Sequence, residues 1–418
     1  MLLFVRWCVA VLVVWGAASA HAADFFFKDG DVVVMIGDSI TEQHLYSNYV
    51  EMWTVTRYPQ WKLTFRNVGI GGDRSPGGNG RFTRDVLLHK PTAMTTDFGM
   101  NDAGGGDGGL KDFTDGLQGM ANQAKAANIR TAWVTPQPVD NGDQGPTALT
   151  GYNQMLKKYS DGVKVIADKN GGLFVDQFHP YLAALDRARG KGPKYDRITA
   201  GDAVHPGPPG QALMAASILK GLSFPSLVSS AEIDAAGGKA VTAKNCTIEN
   251  VAKKDGGISF ARLDAALPFF PVEALGILPH APILEELNDY RLKVTGLAAG
   301  QYEVRVGGKK IAELTAEQLA TGANIAAGAL TDGPIADQVK AVKAAVEAKN
   351  RYHHDAIFRG IVLSGVPDWV YSVIPRDELE AKKPAIIQER LAKLIPLDAE
   401  VAKALVMKAN TFDIIPVK

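Results

Sequence analysis

Val32-Val33-Val34-Met35-Ile36 runs directly into Gly37-Asp38-Ser39-Ile40-Thr41, and this stretch constrains the fold most. Five successive apolar residues, four of them β-branched, read as a strand covered on both faces, the habit of parallel sheets layered between helices. Gly37 and Asp38 break the run where such a strand hands over to a helix, so a serine stands at the strand's C-terminal end. In open α/β sheets that end of the strands is where ligands bind. Alone, Gly-Asp-Ser is equally an ordinary turn in which Ser39 caps the next helix. The decision rests on what else reaches the same rim.

The following 180 or so residues alternate strand-like and helical patterns. Strands are predicted at Lys62 to Asn67, Pro91 to Phe98, Ile129 to Thr135 and Gly172 to Val175. Helices are predicted near His44 to Arg57, Arg81 to His89, Leu110 to Ala127 and Tyr152 to Ala167, with a last one from Pro209 to Leu222. Helical crossovers between five strands imply a parallel sheet with helices on both faces. The ends of the first four strands would then bring Gly37-Asp38-Ser39, Asn67 to Asp73, Gly99-Met100-Asn101-Asp102 and Thr135-Pro136 to one rim.

Residues 1–23 carry one cation, Arg6, an apolar run from Val9 to Trp15, and small residues around Ala18-Ser19-Ala20 and Ala20-His21-Ala22. This reads as a secretory signal peptide, with an apolar run too short to span a bilayer. Its removal would leave about 395 residues, more than one ordinary core, and a single cysteine, Cys246. One cysteine forms no intramolecular disulfide, and with nothing basic beside it Cys246 reads as a small core residue. The Asn245-Cys246-Thr247 sequon matters only in a glycosylating pathway. Formal charge balances at 45 cations against 45 anions, with no basic run interleaved with aromatics, so nucleic acid is not an expected partner.

The pattern changes near residue 226. Strands are predicted on either side of Lys254-Asp255-Gly256-Gly257, at Tyr290 to Val294 and at Tyr302 to Val306, with glycine-rich turns at Gly296 to Gly300 and Gly307-Gly308. Thr315-Ala316-Glu317-Gln318 is a capping box, and Gly333-Pro334 opens an amphipathic helix with Ile335, Val339, Val342 and Val346 on one face. Helices near Asp377 to Leu394, kinked or split at Pro384, and Ala399 to Ala409 complete the chain. The expected division is therefore a signal peptide (1–23), an α/β domain (24–225) and a β-rich and helical region (226–418) packed on it.

Within the α/β part, the glycines of Asn67-Val68-Gly69-Ile70-Gly71-Gly72-Asp73 let backbone approach a ligand and aim an N–H at it. The Asn101 amide can donate to a developing negative charge. Gly104, Gly106 and Gly109 formally satisfy G-x-G-x-x-G, but they follow the third strand and the next one ends in Thr-Pro, which does not suit a dinucleotide site. In Asp202-Ala203-Val204-His205-Pro206 the spacing lets a carboxylate reach Nδ1 of the imidazole and leaves Nε2 as a base. Asp176-Gln177-Phe178-His179-Pro180 has the same form, and geometry alone leaves both open. The Gly207 to Gly210 turn and small-residue helix behind Asp202 and His205 favour that pair.

These four blocks, in this order, resemble the GDSL or SGNH hydrolase family, whose signature residues are Ser, Gly, Asn and His. The resemblance covers roughly residues 31 to 222. It implies a three-layer, flavodoxin-like α/β/α domain around a five-stranded parallel sheet, with the β-rich and helical region as an extension. It also selects His205 over His179, because the family's last block is followed by glycine and a small-residue helix. The implied chemistry is acyl transfer through Ser39, His205 and Asp202, with the oxyanion met by the N–H groups of Ser39 and Gly72 and the amide of Asn101. The implied protein is an exported serine esterase, periplasmic or extracellular, acting on acylated carbohydrate or another small ester, with no cofactor and no metal. His44 reads as a partly exposed first-turn residue, with lining the pocket as the alternative; His353-His354-Asp355 is a weak metal candidate, since adjacent histidines point apart on a helix and no third ligand is evident; Phe25-Phe26-Phe27 reads as packing under the sheet edge, and Arg81 and Arg84 as a solvated helix face.

Overall fold

The computed structural model describes residues 24–142, 145–189 and 197–417. The expected signal peptide, with Cys8, lies outside the described residues. Five strands, β1 (Val32–Gly37), β2 (Thr64–Asn67), β3 (Ala93–Asp97), β4 (Arg130–Val134) and β5 (Leu173–Val175), form a parallel sheet in the order β2-β1-β3-β4-β5. β1 is an interior strand, in keeping with its apolar residues on both faces: it pairs Val33 with Phe65 on one side and Ile36 with Thr96 on the other.

The helices are α1 (Ser39–Glu42), α2 (Leu45–Arg57), α3 (Ser75–Asp85), α4 (Gly106–Ala126), α5 (Tyr152–Asn170), α6 (Phe178–Ala188) and α7 (Pro208–Gly221). α3 begins six residues before the predicted stretch, at Ser75, and α6 is absent from the sequence reading. Both starts are disguised by glycine or proline near the first turn.

After α7 the chain builds two further sheets. One has the order β13-β10-β6-β7, from β6 (Leu227–Asp234), β7 (Lys239–Lys244), β10 (Asp289–Thr295) and β13 (Ala323–Asn324). The other has the order β12-β11-β14-β9-β8, from β8 (Cys246–Lys254), β9 (Gly257–Asp264), β11 (Gln301–Val306), β12 (Lys309–Thr315) and β14 (Asn410–Pro416). The Gly296 to Gly300 turn carries the chain from one sheet to the other, whereas Gly307-Gly308 closes a true hairpin between β11 and β12. β14 is not marked by periodicity, because Asp413 interrupts the run of Thr411, Phe412, Ile414 and Ile415; it inserts between β11 and β9, with Phe412 stacked on Phe260. At the junction of the sheets Arg262 is fully buried, donates to Asp264 and the Ser229 hydroxyl, and lies over the Tyr290 ring. Pro384 does not split its helix, Arg376–Ala392, and that helix buries no residue. Among the described residues, no helix is long and apolar enough to cross a membrane.

The two parts share one apolar cluster, which takes in Val33, Trp133 and Met214 as well as Tyr290, Phe358 and Phe412. α2 is the seam, with every residue after Leu45 buried. Trp53 meets Phe269 and Phe270 edge-on, and the Leu267 N–H donates to the Thr56 carbonyl. The helix Pro334–Tyr352 crosses the other side of α2, where Lys349 pairs with Glu51 and Asn350 donates to Glu51 and Asn48 at 2.7 Å each. The Lys349 and Glu51 side chains are 1% and 2% exposed.

Replacing Lys349 by Met leaves Glu51 as a buried, uncompensated carboxylate, and should cost about 3–5 kcal/mol. Urea unfolding followed by tryptophan fluorescence and by far-UV dichroism should show a lower midpoint in a transition common to both probes. Nearby, His89 and His353 face each other with Nε2 atoms 3.4 Å apart. Burial, with Arg66 adding to it, pushes His89 down to about 3, and burial and then His89 push His353 well below the usual imidazole range. The unfolded chain protonates both near 6.5, so it binds more protons than the native state between 6.5 and about 3, and stability should fall as the pH drops through that window. His89→Phe should flatten the dependence of the urea midpoint on pH.

Candidate active site

The turn from β1 into α1 is built without room for side chains. A Cβ on Gly37 would stand 2.1 Å from Thr41 Oγ1 and 2.6 Å from the Asp97 carbonyl, so only glycine lets the strand end this close to α1. Asp38 caps α1 by accepting the Ile40 N–H at 2.9 Å. Ser39, the first residue of α1, is left half-buried at the rim, with its N–H among the helix-terminal donors that lack an intrahelical acceptor.

Facing it is the loop that precedes α7. Asp202 Oδ1 accepts the N–H groups of Val204 at 2.8 Å and His205 at 2.6 Å, while the Asp202 N–H donates back to the His205 carbonyl. The His205 N–H is the largest influence holding the Asp202 carboxyl below its usual range. Asp202 Oδ2 lies 3.0 Å from His205 Nδ1, and His205 Nε2 lies 2.9 Å from Ser39 Oγ. A carboxylate at Nδ1 keeps the proton there, which leaves Nε2 to accept from the serine hydroxyl.

The glycine block lies against α1. Asn67 Nδ2 donates to the Thr41 carbonyl and Ser47 Oγ, and its Oδ1 accepts the Gly69 N–H. Gly69 approaches so closely that a Cβ would meet the Glu42 nitrogen at 2.4 Å. Glu42 Oε2 accepts the Gly71 N–H at 2.6 Å. Gly72 turns with φ +74°, and among the described residues its N–H has no acceptor. The Asn101 amide donates to the Asp73 carbonyl at 3.0 Å and, at 3.4 Å, to Asp38. Ser39, the glycine turn, Asn101 and the Asp202-His205 loop are thus brought to one rim.

Beneath the rim, burial sets the charge. Asp38 is pushed up to about 7 by burial, with Asp102 and Asp73 adding to it against the Ile40 N–H. Burial likewise raises Asp97, which accepts from Gln177 Nε2 at 3.1 Å, and Asp102, which accepts from Ser75 and Gly99.

One residue in this arrangement escaped the sequence reading. Arg81, expected on a solvated face, is buried; it donates to the carbonyls of Val68 at 2.6 Å and Gly37 at 3.1 Å and to the Asp73 carboxylate at 2.7 Å. It ties the glycine block to the end of β1. The buried stripe of α3, Gly78, Arg81, Phe82 and Asp85, has helical spacing and was the available signal. Arg84 is half exposed, as a solvated face requires.

The remaining candidates fall elsewhere. His179 pairs with Asp176 at 2.7 Å, half exposed, so both D-x-x-H segments form bonded pairs but His205 is the one on the serine. His44 sits in the left-handed region at φ 61° with its ring edge-on to His354, and burial pushes it down to about 3. His353 meets His89, and His354 Nδ1 bonds Asp355. Phe25 and Phe27 pack under the sheet edge against Tyr58 and Phe65. Cys246 is half-buried with its thiol on the Ser230 carbonyl, and burial pushes it up.

Residues 35–213 match the GDSL-like lipase/acylhydrolase family. An acetylxylan esterase from Geobacillus stearothermophilus is 24% identical over 222 residues, which cover 47% of this chain and 95% of that protein. A crystal structure of the same esterase covers 48% of this chain and 97% of its own, with a TM-score of 0.41. The structure of a gut microbial diltiazem-metabolizing enzyme is 25% identical, covers 94% of this chain and 98% of its own, and superposes with a TM-score of 0.78. Both sheets of the second half therefore fall within a fold that this relative shares. The family match runs from β1 into α7 and takes in the serine, glycine, asparagine and histidine blocks that meet at the rim, so residues 35–213 form a GDSL-like lipase/acylhydrolase domain and the protein is a carboxylic ester hydrolase.

Proposed function

We propose that the protein is an exported esterase, periplasmic or extracellular, that removes O-acetyl groups from carbohydrate through Ser39, His205 and Asp202. The observation that carries the mechanism is the 2.9 Å approach of His205 Nε2 to Ser39 Oγ, continued at 3.0 Å to Asp202. His205 takes the hydroxyl proton as Ser39 Oγ attacks the ester carbonyl, and returns it to the departing alcohol; water, deprotonated by the same imidazole, then releases the acid. Asp202 keeps the proton on Nδ1 and stabilises the imidazolium. The oxyanion is met by the N–H groups of Ser39 and Gly72 and by the Asn101 amide, whose longer bond, to Asp38, yields to it. The name of the acetylxylan esterase supports an acetylated sugar as substrate. The gut enzyme named for diltiazem, alike over nearly the whole chain, favours a second reading in which the ester belongs to a small molecule rather than a polymer.

Acid release from acetylated xylo-oligosaccharides, acetylated xylan, diltiazem and p-nitrophenyl esters from acetyl to dodecanoyl separates these readings. Acetylated saccharides should be cleaved fastest, and a preference for long acyl chains would overturn the carbohydrate assignment. Ser39→Ala should lower kcat by about 10⁴ or more and Asn101→Ala by roughly 10²–10³. An Asn101→Ala enzyme with undiminished turnover would remove that amide from the oxyanion site.

A further inference from the structure

The second half of the chain reaches the serine turn at one point. After Tyr352 the long helix continues as a π-helical segment, His353–Val362, and this segment lies against α1. Arg359 Nη2 donates to Glu42 Oε1, and His354 Nε2 stands 3.7 Å from the same oxygen. The other oxygen of Glu42 accepts the Gly71 N–H at 2.6 Å. Glu42 is three residues beyond Ser39 on α1, with its side chain only 17% exposed. The glycine turn it grips is close to the serine: a Cβ on Gly71 would lie 3.0 Å from Glu42 Oε2 and 4.0 Å from Ser39 Cβ.

One carboxylate thus bridges a cation from residues 226–418 and the backbone of the turn that presents the unpartnered Gly72 N–H. Without Arg359, Glu42 is an acid drawn toward water and free to leave Gly71. The next peptide, which includes the Gly72 nitrogen, would then lose its fixed direction relative to Ser39 Oγ. Preorganised donors contribute to rate only when they already point at the developing charge.

We propose that Arg359 is a positioning residue for ester hydrolysis, acting through Glu42 to hold the Gly71-Gly72 turn in place as an oxyanion donor. The second half therefore completes the active site. The inference rests on the Ser39 esterase reading and adds to it a role for a region outside the family match.

The test uses the full-length mature protein and p-nitrophenyl acetate. Arg359→Ala and Glu42→Gln should each lower kcat by roughly 10- to 100-fold, in the range of supporting residues that orient reacting groups, with KM within about twofold of the parent. Arg359→Lys should recover most of the loss. Thermal unfolding should move by only a few degrees, since Arg359 is half exposed. Phosphonylation of Ser39 by a fluorophosphonate should slow in parallel with kcat, because that reaction also places negative charge in the oxyanion site. A parent-like kcat in Arg359→Ala overturns the inference while leaving the esterase reading intact, and so does a loss confined to KM. If Arg359→Ala does not fold, Glu42→Gln and Arg359→Lys carry the test, and parent-like kcat in Glu42→Gln overturns the inference. A parent protein inert toward every ester, and no different from Ser39→Ala, overturns the esterase reading itself.

Discussion

A helix that must be covered on every side holds this molecule together. α2 buries all but its first residue, and a single sheet face cannot supply that cover. α7 and the parallel sheet take one side, and the segment around Phe269 and Phe270 with the helix Pro334–Tyr352 takes the other. Apolar burial of side chains such as Trp53, Tyr46 and Val50 supplies the attraction, at about 1.5–3 kcal/mol for each aliphatic side chain removed from water. The polar groups caught in the seam are then obliged to pair. Glu51, Lys349, Asn350 and Asn48 do so, which fixes the register of the second half on the first.

That seam matters for chemistry because α2 begins just beyond the serine turn, with only Gln43 and His44 between α1 and α2. Whatever fixes α2 fixes α1, and whatever packs on α1 bears on the site. At the junction His44 meets His354 edge-on and His89 faces His353, and burial displaces the titration of His44, His89 and His353 downward.

Within the site, order comes from assigning each polar group a partner before a substrate arrives. Arg81 takes two carbonyls and two carboxylates, Asn67 takes three backbone or hydroxyl groups, and Asp202 takes two N–H groups besides the imidazole. The Gly72 N–H is left over, beside a helix-terminal N–H at Ser39. Burial raises the acids under the rim, Asp38 to about 7 and Asp97 well above the usual carboxylate range.

The chain's own sequence determined the parallel sheet, the order of its crossovers and the four blocks that face the rim, because strand ends in such a sheet converge whatever the details of packing. Val32 to Ile36 is legible as a buried strand, and Gly37, Gly69 and Gly72 are legible as places where backbone must come close or turn. The Gly207 to Gly210 turn and the family resemblance already favour His205 over His179 in the sequence; tertiary structure supplies the physical reason, since both carry the same local aspartate pairing and only His205 faces the serine. It alone buried Arg81, whose partners come from the ends of two strands, and it alone placed β14 between β11 and β9. Residues 317 positions apart, Glu42 and Arg359, meet through a seam that no local pattern encodes. Periodicity reports which face of an element is apolar; it does not report which distant element covers that face, and this fold sets its charged contacts by that choice.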